Sequence, residues 1–156
     1  SCGIMLHAAF IVHPNFEKED FRQLEKDVVD LCPAEITFTV LSPSPGTKLF
    51  ENHKNEFICD PFKYYDCMHS VIPTNMTLKR FYQHFGRLYA LALRQNPLRV
   101  NKIKVPIKDF FRAIVFGTRY VFSLYSISKD YPKSMHQQKK EKLLDASKKA
   151  GFLYDE

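Results

Sequence analysis

No two cysteines in the sequence are spaced C-x-x-C. Cys2, Cys32, Cys59 and Cys67 are scattered, so neither a zinc ribbon nor a redox dithiol is spelled. Scattered thiols of this kind fit reduced side chains and predict a reducing, cytoplasmic setting. No apolar run approaches the roughly 18 residues a membrane-spanning helix needs, and no charged-then-apolar leader opens the chain. A transmembrane or secreted protein is therefore not expected. G-x-S-x-G, the P-loop, H-E-x-x-H and G-x-G-x-x-G are all missing, which removes the usual spellings of several hydrolase and nucleotide-binding chemistries. Neither an internal repeat nor a low-complexity tract occurs.

What is present suits a folded core. The chain has 156 residues, 45% of them hydrophobic, with 14 Phe and 8 Tyr, and the low-hydrophobicity signature of disorder is absent. Charge is uneven. Residues 1–78 hold 6 basic and 11 acidic side chains and residues 79–156 hold 17 and 6, so a net −5 half precedes a net +11 half. A basic half suits an anionic partner, whether nucleic acid, a membrane surface or the acidic half of the same molecule. Lys139, Lys140, Lys142, Lys148 and Lys149 are mixed with acids and read as a solvated face, with anionic lipid as the alternative contact.

Residues 4–12 (IMLHAAFIV) form a nearly continuous apolar run, the pattern of a strand buried on both faces of a parallel sheet. Pro14 ends it, and Asn15 suits the cap of a following helix. Glu17, Glu19 and Asp20 suit that helix's first turn, Phe21, Leu24, Val28 and Leu31 recur at helical spacing, and Pro33 stops it. Residues 34–41 (AEITFTVL), rich in β-branched side chains, predict a second strand, closed by the turn-rich residues 42–47. Strand, helix and strand with short links predict a right-handed parallel crossover.

Beyond Leu49 the strand signal fades. Residues 50–75 have no sustained period and read as an irregular segment with short helical turns. Leu78, Phe81, Phe85, Leu88 and Ala92 predict an amphipathic helix over 77–94, with the aromatic stripe of Phe81, Phe85 and Tyr89 in its core. Ile107, Phe110, Phe111, Ile114, Val121, Phe122 and Tyr125 mark a further helix, with Lys108, Arg112 and Arg119 on its polar side and Gly117 as a weak point. A lysine-rich helix is expected over about 134–150, capped by Gly151. Two strands cannot make a stable sheet with exposed edges, so the unit wants more strands than it brings. Ser1-Cys2-Gly3 leads straight into a strand, and the chain reads as a piece of something longer.

The stretch Phe10-Ile11-Val12-His13-Pro14-Asn15-Phe16-Glu17, followed by Leu41-Ser42-Pro43-Ser44-Pro45-Gly46-Thr47, resembles the last strands of radical S-adenosylmethionine (SAM) enzymes. Within that superfamily it is similar to the branch with a cobalamin-binding domain. Tyr65-Asp66-Cys67-Met68-His69, with Pro73-Thr74 and Phe81-Tyr82, resembles the C-terminal extension of the hopanoid C-3 methylase-like group. The resemblance implies an α/β fold: residues 1–50 as the last two strands and intervening helix of a partial TIM barrel, and residues 51–156 as a helical C-terminal extension. It implies SAM, a [4Fe-4S] cluster and cobalamin in the parent enzyme. The C-x-x-x-C-x-x-C loop that would hold the cluster is not in this sequence, so the piece alone is expected to hold none of these cofactors and to be inactive.

Ligands of parallel barrels sit at the carboxyl ends of the strands. That rule and the resemblance together nominate Val12, His13, Pro14, Leu41, Ser42 and Pro43 as SAM-binding. His13 either contacts SAM or substrate or caps the next helix. Tyr64, Tyr65, Asp66 and His69 form a second polar group, assigned to the substrate side. Such a group transfers protons or orients a ligand, and the plainer reading is an Asp holding a structural His. No catalytic residue and no metal ligand is assigned. The leading expectation is the C-terminal part of a methyltransferase acting on an unactivated carbon of a lipid or tetrapyrrole-like substrate. Its expected partners are the N-terminal remainder of the same chain and a lipid substrate at the membrane surface, with no nucleic acid, and the isolated piece is expected to self-associate. The alternative is a stand-alone basic helical module that binds nucleic acid or a membrane surface.

Overall fold

The computed structural model describes residues 6–95 and 107–132. It is an α/β arrangement with one parallel pair of strands, β1 (His7–Val12) and β2 (Glu35–Val40), joined by helix α1 (Lys18–Leu31). A short helix α2 (Lys48–His53), a long helix α3 (Leu78–Gln95) and a further helix α4 (Ile107–Ser126) follow, the last running into a 3₁₀ turn at Ile127–Lys129. The expected lysine-rich helix over 134–150, and Ile4 and Met5 of the expected first strand, lie outside the described residues.

β1 and β2 are in register from His7 opposite Glu35 to Val12 opposite Val40. Side chains alternate across a strand. Phe10, Val12, Ile36, Phe38 and Val40 therefore share one face, and all belong to or pack against the core. His7, Ala9, Ile11, Thr37 and Thr39 share the other. Ile11 there is 63% exposed, and His7 bonds Glu35 and Thr37 across the surface. The expectation that the first strand is buried on both faces is corrected: one face is covered. Helices pack on one side of the pair, and among the described residues no third strand pairs with either edge.

α1 forms as its apolar spacing requires, burying Phe21, Leu24 and Val28, while Leu31 at its end is exposed. Its cap is Glu17 rather than Asn15. The Glu17 N–H donates to Asp20 Oδ2 at 2.7 Å, half of the reciprocal arrangement that satisfies a helix start. Cys32 ends the helix in a left-handed conformation at φ 47°.

α3 is the central helix. Leu78, Phe81, Phe85, Leu88 and Ala92 are all buried. Phe21 of α1 meets Phe81 edge-on, and Tyr89, edge-on to Phe38, donates its hydroxyl to the Phe38 carbonyl of β2 at 2.6 Å. The core thus draws on residues from both sides of position 50.

α4 packs on α3 through only part of its expected apolar stripe, Val121 and Tyr125, together with Gly117 and Leu124, which were not in it. Gly117, Val121 and Leu124 are buried, whereas Ile107, Phe111, Ile114 and Phe122 are exposed. The reason is backbone approach. A Cβ on Gly117 would stand 3.0 Å from the Leu93 side chain, and one on Gly86 would stand 3.0 Å from the Tyr125 ring. The two glycines let the helices meet closely, and the bulkier stripe of α4 turns outward.

Candidate functional site

The chain leaves β1 and β2 on the same side, as it must in a parallel pair. The Leu41 N–H donates to the Val12 carbonyl at 2.9 Å, which fastens the two carboxyl ends together. His13 Nδ1 accepts the Asn15 N–H at 3.1 Å, so this imidazole shapes the turn before α1. Pro14 is fully buried, and its carbonyl accepts the Asn75 N–H at 3.2 Å, while Asn75 Nδ2 donates to the Asn15 carbonyl at 2.9 Å. The segment that leads into α3 is thereby tied to the end of β1.

The end of β2 is tied to a different stretch. The Val40 N–H donates to the Cys67 carbonyl at 2.7 Å. Ser42 Oγ lies 3.3 Å from the Val40 carbonyl and 3.2 Å from the His69 carbonyl, and donates to them. Ser44 Oγ and Tyr65 Oη are 2.6 Å apart. Ser42 and Pro43 on one side, and Tyr64, Tyr65, Asp66 and His69 on the other, are therefore adjacent. Two groups nominated separately from the sequence form one cluster at the carboxyl end of β2. His13 and Pro14 stand at the neighbouring strand end, tied to Asn15 and Asn75 instead.

Asp66 organises the cluster. Its Oδ1 accepts the N–H groups of Met68 and His69 at 2.9 and 2.8 Å, and its Oδ2 lies 2.6 Å from His69 Nδ1. The turn places Cys67 in the left-handed region at φ 58°, uncommon for a residue other than glycine. Burial pushes the Asp66 carboxyl up, but the two N–H bonds and the His69 ring outweigh it and hold the group below the ordinary carboxylate range. His69 is nearly enclosed, its side chain 12% exposed. Its Nε2 points at Asp130 Oδ2, 3.4 Å away. The rings of Tyr64 and Tyr131 flank the imidazole, at 4.8 and 5.7 Å between centroids, and Tyr64 Oη donates to the Asp130 carbonyl at 3.1 Å.

Beneath His69 lies a buried hydroxyl pair, Tyr82 and Tyr131. Tyr82 Oη and Tyr131 Oη are 2.6 Å apart. Tyr82 Oη accepts the Ser70 N–H at 2.8 Å and sits 3.2 Å from the Met68 carbonyl, while Tyr131 Oη sits 2.9 Å from the Ser70 carbonyl. Two hydroxyl protons thus face three acceptor positions, and either tyrosine can donate to the other. Burial raises both hydroxyls far above the ordinary phenol range, so both stay protonated. Cys59, whose Sγ is 4.0 Å from the Ser70 carbonyl, has its thiol pushed up to about 11 by burial and by Asp60 and Asp66.

Chemically, the cluster presents one imidazole between two carboxylates on an aromatic platform. It can bind and orient a polar ligand and exchange a proton at His69 Nε2. Asp130, Tyr131, Tyr82 and Ser70 are the members that sequence reasoning missed. Asp130 lies 61 residues from His69, and no local spacing links them. Among the described residues no group of three His, Cys, Asp or Glu side chains converges on a point where a metal ion could be held, and none of their helices is long and apolar enough to cross a membrane. No known protein family, curated protein or solved structure matches the chain.

Proposed function

We propose that these residues close a parallel barrel in a cobalamin-dependent radical SAM enzyme, and that the carboxyl ends of β1 and β2 line its SAM pocket. One observation carries the reading: β1 and β2 are parallel, and among the described residues helices cover a single face while the opposite face carries Ala9, Ile11, Thr37 and Thr39 beside an unpaired edge. A barrel strand has helices outside and a lumen inside, and a pair cut from one has this asymmetry.

On this reading Val12, His13, Pro14, Leu41, Ser42 and Pro43 supply a shelf of backbone and apolar atoms for SAM. Tyr64, Tyr65, Asp66 and His69, fastened to the end of β2, stand on the substrate side, where His69 orients or protonates a polar group. The described cysteines do not converge, so a [4Fe-4S] cluster does not fit them, and it and cobalamin belong to other parts of the protein. The parent reaction is methylation of an unactivated carbon in a lipid or tetrapyrrole-like substrate.

The test is anaerobic assay of the whole protein that carries these residues, with a low-potential reductant and SAM. Formation of 5′-deoxyadenosine, with a raised KM for SAM in Ser42→Val, supports the reading. A protein that holds no iron and forms no 5′-deoxyadenosine refutes it, and favours the binding module that the basic face of α4 suggests.

A further inference from the structure

The exposed face of α4 is amphipathic in a second, unused direction. At 3.6 residues per turn, Ile107, Phe111, Ile114, Val115 and Phe122 fall within one arc of about 100°, and all are exposed, Phe122 by 72%. Lys108, Arg112 and Arg119 fall on the adjoining arc and are exposed as well. Asp109 is the one acid in the helix, and its contact with Arg112 is a loose 3.8 Å pair at the surface. The helix cannot roll to hide this face, because Gly117 and Val121 lock its other side against α3.

We propose that α4 lies flat on an anionic lipid surface, with its apolar arc among the acyl chains and Lys108, Arg112 and Arg119 at the phosphates. A helix with a bulky apolar arc bordered by cations has the chemistry of an interfacial element. It does not cross the bilayer, since four charges interrupt it and no described helix meets the length and apolarity of a span. A second copy fits the face less well. Two such faces brought together would set cationic rims near each other with a single acid, Asp109, on each helix against three cations, whereas lipid phosphates neutralise all three. The proposal stands on α4 alone and does not depend on the SAM reading.

The experiment is co-sedimentation of the 156-residue chain with vesicles of phosphatidylcholine alone and of phosphatidylcholine with phosphatidylglycerol. The chain is expected to pellet with the anionic vesicles, weakly with neutral ones, and less as salt rises. Arg112→Glu with Arg119→Glu, and separately Val115→Asp with Phe122→Asp, are each expected to lower the partition coefficient at least about tenfold. Circular dichroism and the unfolding midpoint show that these variants still fold, and Arg22→Glu on α1 is expected to bind as the parent does. Binding unchanged in both double variants overturns the proposal, because it places the contact elsewhere. So does a chain that ignores vesicles but binds duplex DNA, or one whose variants only turn a dimer into a monomer.

Discussion

α3 and α4 are neighbouring amphipathic helices of 18 and 20 residues, and they place their aromatic side chains oppositely. α3 hides Phe81 and Phe85 completely, between α1, β2 and α4, while α4 leaves Phe111, Phe116 and Phe122 at the surface. The difference teaches that helical spacing reports an apolar stripe and says nothing of where it points. In α4 close approach at Gly117 decided the packed face. The largest expected effect follows directly. Phe85→Ala is expected to cost about 3–5 kcal/mol by emptying a packed site, whereas Phe122→Ala is expected to stay within about 0.5 kcal/mol. Urea unfolding of the two variants checks it, and equal losses would break the contrast.

Next in size is the hydroxyl pair under His69. Tyr82→Phe removes the acceptor of the buried Ser70 N–H and the partner of Tyr131, and is expected to cost about 1–3 kcal/mol. Phe81, one position away and equally buried, has no such polar duty. A Tyr82→Phe variant as stable as the parent would show that the pair contributes shape alone.

Acid sharpens the comparison at Asp66. Its folded pKa is depressed, so its contribution is present above the unfolded value of about 3.9 and is lost as pH falls through the folded value. Asp66→Asn keeps an oxygen for the N–H groups of Met68 and His69 but no charge for the ring. The stability gap between parent and variant is expected to be widest near neutral pH and to shrink below about pH 4. Thermal melts across pH 3–7 measure it, and a constant gap would contradict the ionic part of the account. The smallest effect is kinetic: with its thiol pushed up to about 11, Cys59 is expected to react last with a disulfide reagent at pH 8, after the exposed Cys32 and Cys67. Labelling followed by mass spectrometry reads the order.

Several features were legible because their signals are local. The stripe of Leu78, Phe81, Phe85, Leu88 and Ala92 is a strong single period, and its buried face is as expected. The parallel pairing of β1 with β2 follows from a strand, a helix and a strand on short links. Asp66 and His69 stand three apart, and the plainer reading of an Asp holding a His describes their geometry. Other features were hidden for physical reasons. The run at 4–12 is apolar on both sides, so alternation did not reveal that Ile11 faces outward. Asp130 and Tyr131 reach His69 only through the packing of α4 on α3, and nothing in the spacing around Tyr82 shows that its hydroxyl meets Ser70. The adjacency of Ser42 and His69 depends on a backbone bond between Val40 and Cys67, and no side-chain pattern announces it.

On the proposed reading the β1–β2 pair is an unfinished sheet, and among the described residues the outer edge of β1 has no partner strand. The carbonyls of Leu6 and Val12 face β2, accepting from Ala34, Glu35 and Leu41. By alternation the N–H groups of Phe10 and Val12 face it too, and those of Ala9 and Ile11 face the open edge. Amide hydrogen exchange by NMR on the dilute 156-residue chain tests this most directly. Slow exchange at Phe10 and Val12 with fast exchange at Ala9 and Ile11 is predicted, and Ala9 and Ile11 should become protected when a further strand, from the proposed parent barrel or from a second copy, pairs with the edge. Strong protection at Ala9 and Ile11 in the dilute monomer would contradict it, because the sheet would then already be complete.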